Sequence, residues 1–384
     1  MPAKHRCAVA LAAVVWSFGA AAQAAPPSDP KAVEVIKELG LQEGVRAERD
    51  IPGWKPPKLF VLNVQGPFDP RAPGVLEQLK AIAPGVQFVL ANDPGDMATK
   101  VANADAILGG DNAVCDDAVL AAAKKVRWVS IYSAGVEACL GKPALEKPGV
   151  TVTNMRAIAG PVMAEHSIAL MYALARSLQV SVGRQARGEG WDRNFAGAQP
   201  QSLTGKTLLV VGLGGIGMEV AQRAHALGMK VIATRASSRE GPEYVSKVGL
   251  AEDLPAMIGD ADVVVATLPL IPSTTNLFDA KMFARMKKSA FFINVGRGGS
   301  VVTDDLVKAL NDGTIAGAGL DVTEPEPLPR THPLWKARNI IITPHMSAQS
   351  DLGQATRVLI LEEQIRRFAA GDKLLSVVDF RKGY

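Results

Sequence analysis

The sequence predicts an α/β fold of two domains, each a parallel sheet covered by helices. Its 384 residues exceed one typical domain. From residue 58 onward, short apolar strands alternate with amphipathic stretches, the pattern of parallel strands joined by helical crossovers. A second alternation opens with a strand that runs into a glycine-rich turn and a helix, Val210-Val211-Gly212-Leu213-Gly214-Gly215-Ile216-Gly217.

The first alternation places strands at 58–64, 87–90, 106–109 and 128–132, with helices at 74–81, 97–103 and 116–123. A long apolar helix at 162–178 then bridges to the second series. There, strands are expected at 207–211, 230–234, 263–267, 291–294, 316–320 and 340–342, with helices at 218–227 and 303–312. The strands end in Leu268-Pro269-Leu270, Val295-Gly296-Arg297-Gly298, Asp321-Val322 and Thr343-Pro344-His345. Polar residues gathered at strand C-termini mark the edge where an open α/β sheet holds its ligand.

Two segments precede the fold. Residues 1–24 read as a cleaved leader: Lys4, His5 and Arg6, then an alanine-rich apolar run, then the small-x-small site Ala22-Gln23-Ala24. The apolar run is shorter than the roughly 20 residues of a membrane span. The mature chain is therefore expected to begin at Ala25, exported and periplasmic, with no membrane anchor after cleavage; an ineffective leader would leave it cytoplasmic. Residues 25–57 form a proline- and charge-rich arm with one amphipathic piece at 31–39. The arm is expected to lie on the body, as the extra segment able to cover the crevice or a partner subunit.

The net charge of +4 is spread along the chain without a basic stripe or interleaved aromatics, which excludes a nucleic-acid binder. Of three cysteines, Cys7 lies in the leader, leaving Cys115 and Cys139. No C-x-x-C or Cys/His cluster exists, so no metal site is expected. An oxidising compartment would permit a disulfide, but the spacing does not argue for one, and two buried thiols are expected.

The glycine turn has a chemical reading. Gly212 permits a tight turn, Gly214 lets the backbone approach a pyrophosphate, and Gly217 allows close packing of helix on strand. The N–H groups at the helix start then face phosphate charge. The preceding strand at 207–211 and the next at 230–234 supply the context that a dinucleotide site requires.

Taken in order, Gly-Leu-Gly-Gly-Ile-Gly, Leu-Pro-Leu-Ile-Pro-Ser-Thr, Asn-Val-Gly-Arg-Gly, Gly-Leu-Asp-Val-Thr-Glu-Pro-Glu-Pro-Leu-Pro and Thr-Pro-His resemble the D-isomer-specific 2-hydroxyacid dehydrogenases over residues 58–379. The resemblance implies two Rossmann-like domains, the cofactor domain inserted into the substrate domain. Residues 58–155 and 346–384 would form the substrate domain and 156–345 the NAD(P)-binding domain. It implies hydride transfer between NAD(P)H and a small 2-keto acid such as glyoxylate, hydroxypyruvate or pyruvate. It also implies a homodimer, the commonest closed symmetry.

Hydride chemistry explains the residue types. A 2-keto acid needs a cation for its carboxylate and carbonyl, and an arginine fork holds oxygen pairs while staying charged. Arg297 lies where that group would project. The nascent alkoxide needs a proton donor, and imidazole titrates in the physiological range, which suits His345. By resemblance Glu326 orients the histidine, with Glu324 two residues away as the alternative. Glu326 argues against the related formate dehydrogenases, where glutamine would be expected; the phosphite-oxidising branch shares the Arg–Glu–His set.

By the same resemblance Gly212, Gly214, Gly215, Ile216, Gly217, Leu268, Pro269, Thr274, Val295 and Gly296 line the cofactor. Asp321 would hold the nicotinamide carboxamide or, alternatively, cap the next turn. Ala134, Gly135 and Val136, after Ser133, match a loop whose amides bind the substrate carboxylate; a plain flexible turn is the alternative. His166 reads as structural. At the end of the second strand, about 20 residues beyond the glycines, NAD enzymes usually carry an acid for the ribose 2′-OH. This chain has Arg235, followed by Ala236-Ser237-Ser238-Arg239, which favours NADP over NAD. The non-enzymatic alternative is an exported nucleotide-binding or sensor protein that keeps the fold without turnover.

Overall fold

Strands buried on both faces of a parallel sheet read as unbroken apolar runs, and such runs form the centre of both sheets. The structure, a computed structural model, describes residues 25–65, 69–193 and 200–381; the expected leader at 1–24 lies outside the described residues. The first sheet contains β1 (Leu59–Asn63), β2 (Gln87–Ala91), β3 (Ala106–Gly109), β4 (Trp128–Ile131) and β5 (Thr151–Thr153), in the order β2-β1-β3-β4-β5. The second contains β6 (Thr207–Val211), β7 (Lys230–Thr234), β8 (Lys247–Gly249), β9 (Val263–Ala266), β10 (Phe291–Asn294), β11 (Gly317–Leu320) and β12 (Ile340–Ile342). Its order is β12-β11-β10-β9-β6-β7-β8. Every pairing in both sheets is parallel.

Helices α1 (Pro30–Glu38), α2 (Val75–Ile82), α3 (Pro94–Lys100), α4 (Asp111–Val114) and α5 (Asp117–Ala122) belong to the first half. They are followed by α6 (Gly160–Ala175), α7 (Leu178–Ala186), α8 (Gly215–Ala226), α9 (Leu254–Met257), α10 (Ala280–Arg285), α11 (Thr303–Asn311) and α12 (Asp351–Ala370). No described helix is long and apolar enough to cross a membrane.

The chain departs from β6 to β7 on one side and returns to β9 on the other, so the second sheet has its switch point between β6 and β9. Ligands of such sheets bind in the crevice at that point. Thr267, just past β9, donates its hydroxyl to the carbonyl of Gly212, just past β6, at 2.7 Å. The two crevice walls are thereby tied together.

Several elements differ from expectation for local reasons. The helix expected at 97–103 starts at Pro94, because Asp93 accepts the amide of Asp96 and Pro94 has the φ of a first helical residue. Its last turn tightens into a 3-10 turn at Val101–Asn103. The bridging helix expected at 162–178 ends at Ala175, since Ser177 turns left-handed (φ 54°) and α7 sets off from it. The edge strands β5 and β8 are three residues each, too short to show a period. The long C-terminal α12 carries Ile360, Leu361, Ile365 and Phe368 into the core of the first sheet beside Phe60 and Trp128. The Phe368 ring centroid sits 5.0 Å from that of Trp128.

The arm is held against α12 and the segment after it. The Gly44 amide donates to Leu374 O at 2.7 Å, the Arg49 amide to Gly371 O at 2.9 Å, and the Ser28 hydroxyl to Glu363 at 2.9 Å. Leu41 is buried with Phe60 and Leu375. The arm therefore extends the core of the first sheet. In keeping with an arm that lies on the body, apolar residues of α1 pack at α12.

The expectation of two free thiols is also corrected, because Cys115 and Cys139 are joined as a disulfide. Cys115 follows α4 beyond β3, and Cys139 lies in the turn beyond β4. Adjacent parallel strands bring those two turns side by side. A separation of 24 in sequence carries no trace of that proximity.

Candidate functional site

The glycine turn between β6 and α8 has the shape a pyrophosphate needs. Gly212 lies at φ 104°, which L side chains rarely adopt. A Cβ on Gly217 would sit 2.1 Å from Gly212 O and 3.0 Å from Val210 Cγ1, so only glycine lets α8 press on β6 there. A Cβ on Gly214 would meet nothing within 4 Å. That side of the turn is open, and α8 begins at Gly215 with its free amides behind it. The cradle fits a dinucleotide, with Ile216 half-buried at its base.

The opposite wall is shaped by internal bonds. Buried Thr274 accepts the Ile271 amide at 2.9 Å and donates to Pro269 O at 2.7 Å, stapling the Leu268-Pro269 loop. The hydroxyl of Thr274 is thus spent within the loop. Val295 is a core side chain and borders the crevice only through its backbone. A Cβ on Gly296 would lie 2.7 Å from Leu268 O, so the two loops touch there. At the end of β7, Arg235 donates from Nη1 to Glu240 O at 3.0 Å, and its buried Nε has no partner. Arg239 is paired with Asp253.

Arg297 sits in a turn organised by Asn294, a fully buried residue to which the sequence reading gave no role. Asn294 accepts the Gly296 amide at 3.0 Å and donates to Arg297 O at 3.0 Å; the Ser300 hydroxyl donates to the same carbonyl at 2.7 Å. Gly298 follows, and a Cβ there would fall 1.9 Å from Thr323 O. That close approach brings the Arg297 turn against the loop carrying Glu326. The guanidinium itself donates from Nη1 to Gly296 O at 2.8 Å and from Nε to Glu137 at 2.8 Å.

Glu137 belongs to the other sheet. It follows the Ser133–Val136 loop beyond β4, so the Arg297 contact joins the two halves of the molecule. The loop is not slack: Asn154 donates to Ala134 O at 2.7 Å, the Met155 amide to Ser133 O at 2.9 Å, and Val136 is buried. The single available signal for Glu137 was an acid beside a glycine turn at a strand C-terminus, which by itself points nowhere.

Asp321, beyond β11, is buried and accepts the Thr343 hydroxyl at 2.6 Å and the amides of Met346 and Ser347, each at 2.9 Å. Burial pushes its carboxyl up, but these hydrogen bonds outweigh it and hold the group below the ordinary aspartate range. It fastens the turn that carries His345. His166 on α6 reaches Thr343 Oγ1 at 2.9 Å, supporting the same turn from behind, in keeping with a structural role. His345 is exposed at φ 50° and contacts Glu326 through Nδ1. A carboxylate only accepts, so Nδ1 carries the proton there and Nε2 is left for other partners. The carboxylate beside the histidine is that of Glu326; Glu324 instead receives the Thr303 hydroxyl on its backbone carbonyl at 2.7 Å.

Residues 168–347 match the family described as D-isomer specific 2-hydroxyacid dehydrogenase, NAD binding domain. A glyoxylate reductase of Thermococcus litoralis is 31% identical over 310 residues, 77% of this chain and 91% of the relative. Among solved structures, a D-isomer specific 2-hydroxyacid dehydrogenase family protein from Aeromonas salmonicida superposes with a TM-score of 0.72 at 30% identity, over 85% of this chain and all of that one. An NADPH-dependent glyoxylate/hydroxypyruvate reductase from Sinorhizobium meliloti, in complex with NADP and sulfate, gives 0.70 at 28% identity, over 85% of this chain and all of the other.

Proposed function

The chain belongs to the D-isomer specific 2-hydroxyacid dehydrogenase family, and we propose that it reduces glyoxylate to glycolate and hydroxypyruvate to D-glycerate with NADPH. The observation that carries this reading is the convergence of Arg297, Asp321 and His345 beyond the C-terminal ends of neighbouring strands β10, β11 and β12. Arg297 binds the carboxylate and polarises the carbonyl. His345, held through Nδ1 by Glu326, gives a proton from Nε2 to the alkoxide oxygen as it forms. Asp321, its carboxylate engaged by Thr343, Met346 and Ser347, fixes the turn that presents His345. The nicotinamide nucleotide, when bound, supplies the hydride. A nucleotide-binding protein without turnover finds no support among relatives that are reductases and dehydrogenases.

The preference for NADP rests on Arg235, whose unpartnered Nε is a donor in search of an oxyanion. Arg235→Asp should swing the ratio of kcat/KM values from NADPH towards NADH by at least about tenfold, since reversing the charge repels a 2′-phosphate. A wild type that already favours NADH would remove Arg235 from the cofactor site.

We also propose that the protein is exported to the periplasm and works there as a homodimer. The leader motif supports export, and a Cys115–Cys139 disulfide persists in oxidising compartments. Leu178, Val182 and Trp191 form an exposed apolar run on and after α7 that suits a second copy of the chain. Native mass spectrometry of protein purified from its own cells tests both. The expected species begins at Ala25 and has twice the chain mass; an intact Met1 or a monomer would count against the respective proposal.

A further inference from the structure

We propose that Glu137 sets substrate specificity: by occupying the Nε edge of Arg297, it confines the site to short 2-keto acids with one carboxylate and turns away those bearing a second anion. The inference rests on Arg297 being the substrate-binding cation. An arginine has five N–H donors in a planar fork. Here Nε is given to Glu137 and one Nη1 hydrogen to Gly296 O, while Nη2 makes no hydrogen bond among the described residues. What remains of the fork serves one carboxylate and its adjacent carbonyl. The side-on edge, where a second anionic group would dock, already holds a carboxylate that belongs to the protein.

The neighbourhood strengthens this. A Cβ on Gly135 would lie 2.3 Å from Arg297 Nη2 and 2.5 Å from Glu137 Oε2, so cation and acid both lie over the glycine of the loop expected to hold the substrate. Half-buried Asp111 feels the same pair: burial lifts its carboxyl above the ordinary range, Glu137 pushes the same way, and Arg297 opposes. Two acids therefore face one guanidinium. A disulfide tethers the segments that carry them, because Asp111 opens α4, Cys115 follows that helix, and Cys139 lies two residues past Glu137. A substrate with one negative charge is met by the Nη2 edge of Arg297, which no described residue holds. A second charge within about 6 Å of these carboxylates would lose about 10- to 100-fold in kcat/KM at an effective dielectric near 20.

The test is steady-state kinetics of the full chain with glyoxylate and pyruvate against oxaloacetate and 2-oxoglutarate. Wild type is expected to favour the monocarboxylic acids. In Glu137→Gln the ratio of monocarboxylic to dicarboxylic kcat/KM should narrow by about tenfold or more, through a lower KM for the dicarboxylic acids. Improved use of a poor substrate cannot arise from damage to the fold. Inorganic sulfate should also become a stronger competitive inhibitor, since a neutral amide at that edge no longer repels an oxyanion. Asp111→Asn, which leaves the Arg297 contact intact, should narrow the ratio by a smaller factor and serves if Glu137→Gln fails to fold. Equal losses on both substrate classes, or an unchanged ratio in the variants that fold, would overturn the inference while leaving the dehydrogenase reading in place. A wild type that reduces neither class overturns both.

Discussion

His345→Ala is expected to lower kcat by about 10²- to 10⁴-fold, the usual consequence of losing a positioned proton donor, with nucleotide affinity nearly unchanged. The reasoning is geometric. The His345 side chain is 48% exposed and makes its polar contact through Nδ1 with Glu326, so truncation removes little packed surface. The turn that presents it is fixed by other groups: the Asp321 carboxylate holds the amides of Met346 and Ser347, and Thr343 is braced by His166. The backbone should keep its course, including the His345 amide bond to Asp321 O at 2.8 Å. Single-turnover kinetics at saturating nucleotide, with a separate fluorescence titration of NADPH, measures the two quantities independently. Near-wild-type turnover would assign the proton to another group, and a large loss of nucleotide affinity would mean that the turn had moved.

The parts of this site that were legible in the sequence are those that each lie on one strand end. Gly212, Gly214 and Gly217 could be assigned because a turn between a strand and a helix makes separate demands at each position, and the structure shows one left-handed, one open and one pressed on Gly212 O. Arg297, Asp321 and His345 follow successive strands of one parallel sheet, so the alternation alone aligned them on one edge. Glu137 was not legible, because its partner lies 160 residues away in the other sheet. The disulfide failed for the same reason: adjacency of β3 and β4 is a property of strand order, which no local pattern encodes. The arm was legible as a segment lying on the body, but not its partner α12, because which helix its apolar residues, Leu41 among them, pack beside is set by the tertiary fold.

The last expectation concerns a conservative charge. Arg297→Lys should cut kcat/KM by about 10²- to 10³-fold, on the scale of losing an oriented donor to the developing oxyanion, and it should raise KM as well as lower kcat. The guanidinium does three things at once: Nε meets Glu137, Nη1 meets Gly296 O, and Nη2 extends over Gly135. A lysine ammonium is one compact charge on a flexible stem and cannot span those directions. Drawn to Glu137, it would leave the carbonyl oxygen without its donor; drawn to substrate, it would leave Glu137 uncompensated beside Asp111. Either way the ground state and the transition state both lose binding, so both constants move. The backbone turn should survive, because Asn294 and Ser300 bind main-chain atoms and not the guanidinium. Kinetics with glyoxylate and hydroxypyruvate, beside a nucleotide titration as a control for folding, decides the matter. If KM stays unchanged for both acids, Arg297 is a strut between the two sheets, and the substrate carboxylate must be held by the amides of Ala134, Gly135 and Val136 alone.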